Sequence, residues 1–152
     1  MINRFLLIVI LLTGFYTDGF AQTILTGRDK SSTRIFLKGD FSKVEYNFTE
    51  TDSTCTLTTN DAKISKVKVH CSFNGAGKCQ SEKISFDCDS CYQHIFKAML
   101  GKTRFKWKEV AQGRYLSKES RKLLLAGNST AHYFTLSMVN VSDEEYKKLL
   151  AN

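Results

Sequence analysis

Two thiols at Cys-x-x-Cys spacing, Cys88 and Cys91 in Phe86-Asp-Cys-Asp-Ser-Cys91, are the residues best placed to do chemistry. That spacing suits a dithiol redox centre, a metal clip or a disulfide staple. A redox centre needs its first thiol at a helix N-terminus, where the dipole lowers the pKa. The following "YQHIFKAMLG" supplies such a helix, but Asp87 and Asp89 oppose a thiolate. A zinc site would have to gather Cys79, Cys88, Cys91 and His94 from an irregular spacing. Staples are the plainer reading.

The other candidates are sparse. Cys55, Cys71, Cys79, Cys88 and Cys91 are all disulfide candidates, and one thiol must stay over, either buried and inert or joining two chains in a disulfide-linked dimer. Cys71 and Cys88 are expected to point inward on neighbouring strands. His70, His94 and His132 lack a recognisable hydrolase context, although Cys91 and His94 share a helix face. No phosphate loop, metalloprotease helix or calcium loop is present. The expectation is therefore no catalytic residue, no cofactor and no metal.

Periodicity gives the elements that must hold these residues. "RIFLKGD" and "KVEYNFT" alternate and read as a hairpin, with Val44, Tyr46 and Phe48 on one face. "CTLTTN" reads as a short strand. "KVKVHCSF" turns Val67, Val69, Cys71 and Phe73 inward and Lys66, Lys68, His70 and Ser72 outward, then meets the turn signal Asn74-Gly75. Its return strand, "EKISFDC", should bury Ile84, Phe86 and Cys88. Tyr92, Ile95, Phe96, Met99 and Leu100 recur at helical spacing, with Ser90 or Asp89 as cap and Gly101 as a left-handed stop. "TRFKWKEV" reads as a strand, and "KESRKLLLA" as a helix capped by Ser117 and ended by Gly127. "HYFTLSMVN" alternates again, with Phe134, Leu136 and Met138 inward. Ser142 to Glu145 forms a capping box, with Val141 and Tyr146 as its staple. These elements predict an α+β fold, mainly antiparallel sheet with two or three helices in the C-terminal half, stapled by disulfides.

The N-terminus "MINRFLLIVILLTGFYTDGFA" has an early Arg4, a short apolar run and small residues at a cleavage position, so 1–21 reads as a secretory signal peptide. The apolar run is shorter than the roughly 20 residues a membrane span needs. Residues 22–152 are then one secreted, extracellular domain, with 22–33 as a loose arm. Export suits disulfides. It also suits the three glycosylation sequons at Asn47, Asn128 and Asn140.

The formal net charge is +7. Most of the excess lies between Lys102 and Lys122, where Lys102, Arg104, Lys106 and Lys108 alternate with Phe105 and Trp107. On a strand those four cations form a basic ribbon backed by aromatic core, an anionic-ligand surface. The alternative is an ordinary solvated face. Partners of matching chemistry are an extracellular protein, a sulfated glycan or an anionic surface. No nucleic-acid module accompanies the charge.

In size, leader, charge and lysine-rich composition, the whole chain resembles the small basic salivary proteins of blood-feeding insects, in particular the black-fly erythema proteins, which are vasodilators. The resemblance implies a secreted, non-enzymatic effector that acts on host blood vessels. It assigns no functional residue. A small secreted enzyme or an extracellular protein for anionic ligands is the alternative.

Overall fold

Asp29 opens the first helix of the protein. Its carboxylate accepts from the Ser32 backbone N–H and hydroxyl, both at 2.8 Å, and from the Ser31 hydroxyl at 3.1 Å. These bonds, led by the Ser32 N–H, hold its pKa down to about 2. Helix α1 then runs Lys30–Asp40 and buries Thr33 and Leu37, with Phe41 following as C-cap. The computed structural model describes residues 24–60, 65–119 and 122–151; the signal-peptide reading of 1–21 lies outside them.

Four strands follow as a meander: β1 (Tyr46–Glu50), β2 (Thr54–Thr59), β3 (Val67–Phe73) and β4 (Cys79–Phe86). A second helix, α2 (Asp89–Leu100), and a 3-10 turn (Thr103–Phe105) lead into a second meander. Its strands are β5 (Trp107–Ala111), β6 (Arg114–Ser117), β7 (Leu123–Asn128) and β8 (Tyr133–Met138), and helix α3 (Asp143–Ala151) ends the described chain. All eight strands join one antiparallel sheet in the order β1-β2-β3-β4-β8-β7-β6-β5. The last strands of the two meanders therefore meet at the centre. The fold is α+β and mainly antiparallel, as expected, although α1 adds a helix in the N-terminal half.

One face of this sheet carries the core. Val67, Val69, Cys71 and Phe73 of β3 point into it as read from their alternation, with Ile84 and Phe86 of β4, Leu123 and Leu125 of β7, and Phe134 and Leu136 of β8. Helices α1 and α2 cover that face through Leu37 and through Tyr92, Ile95, Phe96 and Met99. Helix α3 lies on the opposite face over the far end: the Tyr146 hydroxyl donates to the carbonyls of Ser117 and Leu123, at 2.8 and 3.3 Å. Its capping box forms, with the Glu145 N–H donating to the Ser142 hydroxyl and Glu145 Oε2 accepting from the Ser142 N–H.

Several expected elements differ. "RIFLKGD" is the body of α1, because the Asp29 cap and the Thr33, Leu37, Phe41 spacing favour a helix; Ile35 and Phe36 are exposed. The expected loose arm is seated from Ile24 onward, where Ile24, Leu25 and Thr26 are buried and the Gly27 N–H donates to the Cys79 carbonyl. "KESRKLLLA" supplies strand β7. Met138 ends its strand exposed. Gly101 closes α2 in right-handed conformation, and the N-cap of α2 is Cys88. That removes Cys88 from the inward face of β4.

Candidate functional site: the open face of the sheet

Because side chains alternate along a strand, the residues between the core positions point to the other side. Cross-strand register aligns them into rows. One row runs Asn47, Thr58, Lys68, Ser85, Tyr133 and Asn128. The next runs Thr49, Thr56, His70, Lys83, Thr135, Ala126 and Arg114. A third begins with Thr54, Ser72, Ser81 and Ser137 and continues onto Leu124 and Leu116, toward α3.

The side chains of these rows touch one another. Thr56 Oγ1 lies 2.8 Å from His70 Nδ1, and Ser72 Oγ lies 2.7 Å from Ser81 Oγ. The Lys83 ammonium sits 3.7 Å from the centre of the Tyr133 ring. Lys68, Lys83 and Arg114 are exposed, and the hydroxyl-bearing residues around them are half-buried or exposed. The rows contain no Asp or Glu. Glu45 and Asp87 lie just outside the ends of β1 and β4, and the acidic first turn of α3, Asp143 to Glu145, stands at the far end of this face. The outcome is a hydroxyl-rich surface with fixed positive charge and no competing carboxylate within it.

The expected ribbon does not form. Lys102 caps the 3-10 turn, Arg104 lies within that turn, and Lys106 has a left-handed backbone (φ 46°), so the alternation of a strand begins only at Trp107. Burial pushes the Lys102 ammonium down to about 8. Lys106 pairs with Glu119 at 2.7 Å, which raises its pKa, and the Lys108 ammonium donates to the Leu150 carbonyl. Arg104 lies over the Phe105 ring. These four cations therefore do not share one face. The signal for the observed face was the outward set Lys68, His70, Ser72 in "KVKVHCSF"; what sequence alone did not show is that β4 and β8 extend it.

The cysteines divide into two groups. Cys88 and Cys91 form a half-buried disulfide at the start of α2, where Cys88 Sγ accepts from the Cys91 N–H at 3.1 Å and Ser65 Oγ lies 2.9 Å from Cys91 Sγ. Cys55, Cys71 and Cys79 are buried thiols in the core. The four residues of the zinc alternative are not brought together; among the described residues no group of His, Cys, Asp and Glu could hold a metal ion.

His94 is exposed, while His132 Nε2 lies 3.7 Å from Asp89 Oδ1 beside the disulfide. This pair stands at the surface, apart from the cleft of about 490 Å³ that Tyr92, Phe96, Glu109, Tyr115 and Gly127 help to line. Glu109, the carboxylate in that cleft, accepts from the Gly113 N–H at 3.1 Å and is hydrogen-bonded to Tyr115; Ser129 also lines the cleft, and no histidine or cysteine does among the described residues.

Asn47, Asn128 and Asn140 have exposed or half-exposed side chains. Asn47 and Asn128 close the two ends of the same outward row, five strand spacings or roughly 24 Å apart. Asn128 stands at the end of β7, not after a helix. No family model, curated protein or solved structure matches this chain. Among the described residues no helix is long and apolar enough to cross a membrane.

Proposed function

We propose that the chain is a secreted, non-enzymatic binding protein that engages an anionic extracellular ligand of the sulfated-glycan class through the open face of its sheet. The observation that carries this reading is the set of rows holding Lys68, Lys83 and Arg114 among hydroxyls with no carboxylate between them. Cations with no acid between them sum their fields, and hydroxyls add hydrogen bonds to sulfate or sugar oxygens. Attachment to such polymers on a vessel wall would also suit the vasodilator role that the salivary resemblance implies.

The test compares two double variants on immobilised heparin. Lys68→Gln with Lys83→Gln should elute at clearly lower salt than the wild type, since both charges are exposed and screened over about 8 to 10 Å at physiological ionic strength. Arg104→Gln with Lys106→Gln removes the same charge from the 3-10 segment and should shift elution less. Equal shifts would reduce the effect to net charge. No shift in the Lys68 and Lys83 variant would remove the sheet face as the site.

A further inference from the structure

Cys55, Cys71 and Cys79 are 1%, 0% and 0% exposed and lie on neighbouring strands of one face of the sheet. Cys55 stands directly opposite Cys71 in the β2–β3 ladder. The Phe73 N–H donates to the Ser53 carbonyl at 2.8 Å in that ladder, so by alternation Cys55 and Cys71 are also a hydrogen-bonded pair. Such pairs hold their Cα atoms about 5.5 Å apart, within the roughly 4.4 to 6.8 Å that a disulfide spans, and their Cβ atoms, at about 5 to 5.5 Å, must draw roughly 1 Å closer as the bond forms. Cys79 is placed differently. It faces Phe73 across a bulge, whereas Cys71 faces Glu82, and its thiol donates to the Ser81 carbonyl at 3.5 Å.

We infer that in the exported, oxidised protein Cys55 and Cys71 are joined by a disulfide through the core, and that Cys79 is the odd thiol, sealed inside the fold. The structure holds the three as thiols, with Cys71 between the other two. Its S–H donates toward Cys55, which lowers the Cys55 pKa and raises that of Cys71. With a small disulfide such as oxidised glutathione as oxidant, the Cys55 thiolate attacks one of its sulfurs and releases one glutathione thiolate. The Cys71 thiolate then attacks Cys55 Sγ in the mixed disulfide and releases the second. The two thiol protons go to the departing thiolates, so two protein thiols are oxidised as one glutathione disulfide is reduced. Both exchanges precede closure of the core, because the folded sheet excludes the oxidant from all three sulfurs.

With Cys88 and Cys91 paired at the surface, every reachable sulfur is then used. The odd cysteine joins no second chain. This inference concerns the core and is independent of the ligand face.

Trypsin separates the relevant residues, since Lys63, Lys66 and Lys68 lie between Cys55 and Cys71 and Lys78 precedes Cys79. Protein refolded in a glutathione redox buffer is unfolded in denaturant with an alkylating reagent and then digested without reduction. Peptide 44–63 should appear linked to 69–78, and the peptide beginning at Cys79 should carry the alkyl group. A 69–78 to 79–83 link, or alkylation of all three, would overturn the assignment. The variant Cys79→Ser should keep the 44–63 to 69–78 link and show no thiol after unfolding; loss of the link there would also overturn it. Non-reducing electrophoresis should show a monomer, and a reducible dimer would show that the odd thiol is accessible.

Discussion

Glu82 is the residue whose chemistry is least compatible with its surroundings. It lies in the core side of β4 and is 1% exposed. Its Oε2 accepts from the Leu25 N–H at 2.9 Å, while Oε1 has no partner among the described residues. Burial pushes its pKa from an ordinary 4.5 up to about 8, against the weaker pull of the Leu25 N–H, Lys102 and Arg28. The unfolded chain loses this proton first, so stability falls as pH rises from about 4.5 to about 8. Lys102, lowered to about 8, changes stability only between there and its ordinary 10.5. The lowered carboxylates of Asp29, Asp143 and Glu145 act on the acid side of their ordinary values. Glu82→Gln keeps an acceptor for Leu25 and removes the ionisation. It should flatten the fall in stability between about pH 5 and pH 8 and raise stability at the upper end, by an amount on the order of a few kcal/mol. Urea melts of both proteins at the two pH values measure this. Parallel curves would show that the carboxyl is already hydrated or paired in solution.

Elements were legible where local pattern and packing agreed. "KVKVHCSF" became β3 with its expected inward set, and the Ser142 box opened α3, because each had a strict period or a local hydrogen-bond signature. The failures were places where a second pattern won. In "RIFLKGD", Ile35 and Leu37 alternate, but Asp29 and its serine partners had already fixed the helical turn. In "KESRKLLLA", leucine and alanine favour helix intrinsically, yet the segment is drawn into the sheet between β6 and β8. The open face was half legible for the same reason: periodicity assigns a residue to a side of its strand, but the neighbouring strand is a long-range fact. Gly127 shows this well. It reads as a helix stop, whereas in β7 it admits α2: a Cβ there would lie 2.6 Å from both Phe96 Cζ and the Tyr92 oxygen. The two rings stack on each other, and Phe96 packs on Phe134. Gly127→Ala should therefore force α2 outward, at a cost of about 1 to 3 kcal/mol, and lower the melting temperature by roughly 3 to 10 °C. Calorimetry of the variant is the check. An unchanged melting temperature would mean that the helix packs less closely than described.

At the scale of the molecule, the chain repeats a plan that its sequence does not repeat: a helix and a four-strand meander, twice, with α3 added. The strand order places β4 against β8, so among the described residues the strand pairing between the two halves is that central seam. Whether such a molecule unfolds as one body depends on the core, since a ladder of a few pairs would not by itself couple two meanders. Here the core is continuous. Buried residues from Leu37 of α1 and Leu57 of β2 to Leu125 of β7 and Leu136 of β8 form one cluster, with Trp107 of edge strand β5 packed against it. Separating the halves would expose the facing rings of Phe86 and Phe134, whose centres lie 6.2 Å apart across the seam, together with Ile84 beside Phe134. Neither half could then stay folded with that surface in water. The halves should unfold in one two-state transition. Trp107, the single tryptophan, reports the second half, and its indole N–H donates to the Met99 carbonyl at 3.0 Å. Alkylation of whichever thiols are free in β2–β4 reports the first. The two signals should give the same denaturant midpoint. Thiols that become reactive well before the Trp107 emission shifts would show that the first meander opens alone, and the central seam would then be a boundary between two folding units.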